Sequence, residues 1–129
     1  MFIKNNGVTL PENGQYEFEV ERIDSRDSIV RDSDGNPVLD KNSKPKVKGH
    51  YLQVTCRETV TGFTARLVLA PESSEVTAQN KLSRFLSQCG VKEGKSVKEA
   101  KELYGKKFKG NLQIREFGGR TFIDVVDVI

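Results

Sequence analysis

His50-Tyr51-Leu52-Gln53-Val54-Thr55-Cys56-Arg57-Glu58-Thr59-Val60-Thr61-Gly62-Phe63-Thr64-Ala65-Arg66-Leu67-Val68-Leu69 alternates twice about a short polar break. In the first run Leu52, Val54 and Cys56 form one face, and Tyr51, Gln53, Thr55 and Arg57 the other. In the second, Phe63, Ala65, Leu67 and Leu69 oppose Thr64, Arg66 and Val68. A period of two with one apolar face is the pattern of a half-buried strand. Counting back from the connection Thr59-Val60-Thr61-Gly62 pairs Cys56 with Ala65, Val54 with Leu67 and Leu52 with Leu69. The apolar faces coincide, so the hairpin register is self-consistent.

The period changes after Pro71. Leu82, Phe85, Leu86 and Cys89 recur at helical spacing, with Ser73 or Ser74 as the cap and Gly90 as the stop. Ser96-x-x-Glu99 reads as a capping box for a second short helix ending at Gly105, with Val97, Ala100 and Leu103 on its buried side. Two alternating runs follow, 106–117 and 120–129, joined by Gly118-Gly119, a strong two-residue hairpin signal. That turn pairs Ile114 with Ile123, Leu112 with Val125 and Phe108 with Ile129 inside. Outside it pairs Phe117 with Arg120, Arg115 with Phe122 and Gln113 with Asp124.

Upstream of the first hairpin, residues 15–23 alternate as well: Tyr16, Phe18 and Val20 against Glu17, Glu19 and Glu21. Between them, residues 24–49 lack periodicity and hold the turn signal Asp34-Gly35-Asn36-Pro37. They read as a long mobile loop or a hairpin with a frayed tip. No internal repeat is evident. Residues 1–14 form a polar arm, leaving 15–129 as one domain. The order is three strands, one or two helices, then two strands. It is that of a mainly β, five-stranded OB-fold barrel with its helical segment between strands three and four. An antiparallel α+β sandwich of the same order is the competing architecture.

The chain has 129 residues, 36% hydrophobic and 30% charged, an ordinary composition for one folded domain. With 21 Lys+Arg against 18 Asp+Glu, the net charge of +3 excludes a global polyanion trap but not local basic patches. Cys56 and Cys89 are too few for a disulfide scaffold and read as reduced thiols in a cytoplasmic protein. His50 is the only histidine, and with the two cysteines it supplies no metal-ligand spacing. No membrane span or signal core is present. Gly90-Val91-Lys92-Glu93-Gly94-Lys95-Ser96 is one residue short of a phosphate-binding loop and follows a helix, not a strand. Asp32-Ser33-Asp34-Gly35 lacks the spacing of a calcium loop and reads as a turn. No catalytic constellation stands out, so the sequence reads as a binder without cofactor.

The informative surface is the outer face of the strands. It collects Tyr51, Arg57 and Arg66, then Arg115, Phe117, Arg120 and Phe122 from the last hairpin. Aromatic rings interleaved with arginines suit single-stranded nucleic acid, whose bases stack while cations meet phosphates. The alternative is that Phe117 and Phe122 cover a minor second core. Charge is polarised along the chain. Residues 41–57, with Lys46 and Lys48, carry five basic and no acidic side chains, whereas residues 11–21 carry four glutamates and no basic one. Residues 92–109, with Lys107 and Lys109, carry seven lysines against three glutamates. Both basic stretches read as a phosphate track or as ordinary solvated lysine. Phe2 and Ile3 on the arm either dock on a neighbouring subunit or fold back on their own barrel.

Three stretches carry a resemblance. They are Gly14-Gln15-Tyr16-Glu17-Phe18-Glu19-Val20, Asn80-Lys81-Leu82-Ser83-Arg84-Phe85-Leu86, and Gly105-Lys106-Lys107-Phe108 continuing through Arg115-Glu116-Phe117-Gly118-Gly119-Arg120. In combination the chain resembles the small OB-fold single-stranded-DNA-binding proteins of phages and conjugative plasmids. The resemblance implies sequence-independent binding of single strands in replication, recombination or transfer of a mobile element. Carried to this chain, it points to the face of Tyr51, Arg57, Arg66, Arg115, Phe117, Arg120 and Phe122. The chain ends in the alternating run Asp124-Val125-Val126-Asp127-Val128-Ile129, not in the acidic tail by which housekeeping bacterial single-strand binders recruit partners. Recruitment by that route is therefore not expected. The expected partner is single-stranded DNA, with RNA inside the same class. The competing function is a protein-interaction module using the same aromatic face.

Overall fold

Alternation along the chain becomes strand because it lets each segment bury one face while its backbone pairs laterally. The computed structural model describes residues 10–129. Five strands are found there: β1 (Gly14–Ile29), β2 (Val47–Glu58), β3 (Thr64–Leu69), β4 (Lys107–Phe117) and β5 (Arg120–Val128). They close into one barrel in the order β1-β2-β3-β5-β4, with β4 returning to β1. Every pairing is antiparallel except β3 with β5, which is parallel. Helix α1 (Val76–Gln88) lies between β3 and β4. This is the OB-fold arrangement expected from the order of elements.

The β2–β3 register is the one counted from its turn: Cys56 faces Ala65, Val54 faces Leu67 and Leu52 faces Leu69. In the last hairpin Ile114 faces Ile123, Arg115 faces Phe122 and Phe117 faces Arg120, also as counted. The expected Phe108–Ile129 pair does not form. A register shift leaves Asn111 opposite Asp127 but Leu112 opposite Val125, so Val126 is an extra residue on β5. One bulge residue reverses which side chains point inward. Val128 is therefore fully buried and Ile129 turns out to solvent.

Residues 24–49 are more ordered than their sequence suggests. β1 runs on to Ile29 and pairs with β2 as far as Val47, making a two-stranded arm. A bulge after Val20 resets the alternation in β1, so Ile23 is the next buried residue. At the arm's tip the backbones of Val30, Val38 and Lys46 close a ring of three hydrogen bonds, each 2.8 Å. Two turns separate them, and they have the same design. The Asp32 carboxylate accepts from the N–H groups of Asp34 and Asn36, and the Asp40 carboxylate from those of Asn42 and Lys44. Gly35 (φ 82°) and Ser43 (φ 60°) take the left-handed position in each. An eight-residue repeat underlies this, Asp32-x-Asp34-Gly35-x-Pro37 and Asp40-x-Asn42-Ser43-x-Pro45, contrary to the expectation of none.

The core is aromatic. Phe18 stacks on Phe108 at 5.5 Å between centroids, Phe108 meets Phe85 of α1 edge-on at 5.2 Å, and Tyr16 and Phe63 close the other end at 5.3 Å. Phe85 plugs the barrel, while Arg84 and Gln88 latch α1 to the β4–β5 ends through Val128, Asp127, Lys109 and Ile129. Glu75 occupies the N-cap position of α1, in place of Ser73 or Ser74. The Ser73 hydroxyl instead accepts from the Glu75 N–H, while Gly90 at φ 88° ends the helix as expected. The second helix is a single 3-10 turn, Ala100–Leu103, whose cap has slid three residues. The Glu102 carboxylate accepts from the N–H groups of Lys98 and Glu99. Leu103 is buried as expected, but Ala100 is exposed.

Candidate nucleic-acid interface

Strand pleating sends Thr55 of β2, Arg66 of β3, and Arg115, Phe117 and Phe122 of β4 and β5 to the outside of the barrel. Barrel closure then sets them side by side. Thr55 is opposite Arg66, Arg66 is opposite Asp124 across the parallel seam, and Arg115 is opposite Phe122. At the centre lies Asp124, only 6% exposed. One carboxylate oxygen accepts from Arg66 Nε at 3.1 Å and the other from an Arg115 terminal N–H at 2.6 Å. The Arg66 guanidinium lies 5.5 Å from the centroid of the Phe122 ring, a cation–π distance. Phe117, at the end of β4, is 80% exposed, and Arg120 opposite it is exposed too.

Two shallow grooves flank the Arg66–Phe122 pair. One, about 290 Å³, is bounded by Arg115, Glu116 and Phe117. The other, about 310 Å³, is bounded by Gln53, Thr55, Thr64 and Thr121. The first offers rings and guanidinium planes, and the second offers hydroxyl and amide groups. A larger groove of about 550 Å³ lies between α1 and the far ends of β3 and β5. It has no aromatic side chain. Its Arg84 is already bonded to Val128 and Asp127, and burial pulls the Lys81 amine below its usual range against the pull of Asp127 and Asp124.

The remaining expected residues lie away from this centre. Arg57 is on the outer face of β2 but is bound to Glu21 at 2.8 Å and to the Gly62 carbonyl at 3.0 Å. Tyr51 is half-buried at the base of the arm, opposite Arg26, and the exposed Lys46 and Lys48 lie farther along it. Lys107 and Lys109 face Glu19 and Glu17 where β4 pairs with β1. Lys109 is six residues from Arg115, at most roughly 20 Å along the strand. Phe2 and Ile3 lie outside the described residues. Asp124, which pairs two of the expected arginines, is the residue of this face that sequence reasoning passed over. Its signal was an acid flanked by Ile123 and Val125, on the strand face that the hairpin register turns outward beside Phe122.

The unassigned thiols and the histidine have local explanations. Burial pushes Cys56 up to about 12 and Cys89 up to about 11, so both remain protonated. His50 pairs with Asp27 across the arm at 2.9 Å. Gly90 and Gly94 form a helix stop and a tight turn, not a phosphate cradle. Among the described residues, no helix is long and apolar enough to cross a membrane. No protein-family model and no curated protein matches this chain, so the character of the face rests on its own geometry.

Proposed function

We propose that the protein binds single-stranded DNA, without strong sequence preference and without catalysis, across the β2–β3–β5–β4 face. The observation that carries this is an exposed Phe117 beside a cation–π contact, Arg66 over Phe122, on the outside of an otherwise well-packed barrel. Flat π surfaces accept any base, and neighbouring cations meet the backbone. The lysines of the arm extend the positive surface towards one end of this face. Protecting or organising single strands in replication, recombination or transfer of a mobile element is the corresponding role. It would be carried out in the cytoplasm, consistent with two unpaired thiols. RNA presents the same stacking chemistry and belongs to the same test.

The experiment is fluorescence anisotropy with labelled oligo-dT, oligo-U and a duplex of equal length, at low and high salt. Tight, salt-sensitive binding to the single strands with little duplex binding is expected. Phe117→Ala should weaken it roughly 5- to 100-fold, the loss of one stacked base, with an unchanged melting temperature. Equal affinity for duplex and single strand would overturn the proposal. Absence of binding to any of the three would favour a protein partner for the same aromatic face.

A further inference from the structure

Arg66 and Arg115 share a single carboxylate, so the three groups together carry one net positive charge. As independent phosphate ligands this is a poor arrangement. Half of their charge is cancelled, and each guanidinium has committed part of its donor edge to Asp124. A phosphate oxygen needs that edge, whereas a base needs the flat face. Arg66 also lies over the Phe122 ring, 5.5 Å from its centroid, within cation–π reach. Arg66 and Phe122 are also the wall shared by the two grooves, each about the size of the smallest ligand sites, roughly 300 Å³.

We propose that Asp124 is a positioning residue for base stacking. It holds Arg66 and Arg115 as flat platforms, and the wall formed by Arg66 and Phe122 partitions two successive bases of one strand, one in each groove. The inference rests on the single-strand reading above and goes beyond it by assigning these arginines to bases and not to phosphates. On this reading the centre of the face contributes little to the salt dependence of binding, which comes from cations elsewhere.

Asp124→Asn separates the two roles because they give opposite signs. Removing the carboxylate charge makes the face more positive by one unit. If the arginines are phosphate ligands, affinity for oligo-dT rises and the slope of log K against log salt steepens by about 0.7. If Asp124 positions them for stacking, affinity falls about tenfold despite the added charge. An oligonucleotide carrying abasic sites, which offers phosphates without bases, then fails to register that loss. Arg66→Lys and Arg115→Lys keep the charge and lose the plane, and a loss of similar size is expected for oligo-dT but not for the abasic strand. Tighter binding by Asp124→Asn, or lysine variants that bind oligo-dT like the parent, would overturn the inference. Asp124 joins three strands, so each variant is also melted. Should Asp124→Asn unfold, the two lysine variants decide alone. If the parent protein binds no single strand, the functional reading and this inference fall together; if it binds and the lysine variants are unaffected, only this inference falls.

Discussion

Gly110 lies in the middle of β4, where a glycine weakens a strand unless something requires it. A Cβ at this position would stand 2.5 Å from Val125 Cγ1 and 2.8 Å from the Asp127 carbonyl oxygen. The requirement is therefore close approach: β5 bulges at Val126 against this part of β4, and only a residue without a side chain fits beneath it. Gly110→Ala should cost about 2 kcal/mol, a fall in melting temperature on the order of 10 °C by calorimetry. A melting point within about 2 °C of the parent would show that the bulge relaxes freely. Asp124 illustrates the same scale differently. Its acidity was visible in the sequence, but its two arginine partners were not assignable. Arg66 is 58 residues away and reaches it only through the parallel seam.

Among the elements, the β2–β3 turn depends on one buried carboxylate. Glu58 accepts from the N–H groups of Val60 and Thr61 and from the Thr61 hydroxyl. Burial pushes this carboxyl up, but hydrogen bonds from Thr61, Val60 and Gly62 outweigh it and hold it below its ordinary value of 4.5. A group whose folded pKa is depressed stabilises the fold above its unfolded pKa, and the effect is lost as the pH falls through the folded value. Glu58→Gln should thus melt lower than the parent at pH 7, by roughly 2 kcal/mol of stability, because an amide N–H then faces backbone donors. The gap should close as the pH is lowered from 4.5 through the folded value; a gap independent of pH would exclude the carboxylate as its cause. The sequence placed this turn and its register correctly, since both depend on residues a few positions apart. It misplaced the cap of α1 and the second helix, because several Ser and Glu residues compete there and packing of Phe85 and Leu103 selects among them.

For the molecule as a whole, the proposed binding divides between the β1–β2 arm and the β2–β3–β5–β4 face. The arm tip carries Lys41, Lys44 and Lys46 on a scaffold of two aspartate-capped turns, and the face carries Phe117, the Arg66–Phe122 contact and two arginines paired with Asp124. Reversing Lys44, Lys46 and Lys48 to Glu should reduce low-salt affinity for oligo-dT and flatten the salt slope by up to about 0.7 per contacting lysine. Sensitivity to Phe117→Ala should persist in that background. A variant that binds and titrates with salt like the parent would place the arm outside the track. Read from composition alone, all these basic residues were equivalent. The fold ties Arg57 to Glu21 and sets Lys107 and Lys109 against Glu19 and Glu17, leaving fewer cations near the stacking surface than the sequence suggested. What the sequence by itself determined was the strand cores, the register of one hairpin and of the turn end of the other, the helix and the order of elements along the chain. Each of these follows from periodicity and turn chemistry, which act between near neighbours in the chain. Only the tertiary structure decided the bulges, the paired arm, and which arginines share Asp124. Those depend on how strands far apart in sequence meet when the barrel closes, and on which polar groups closure removes from water.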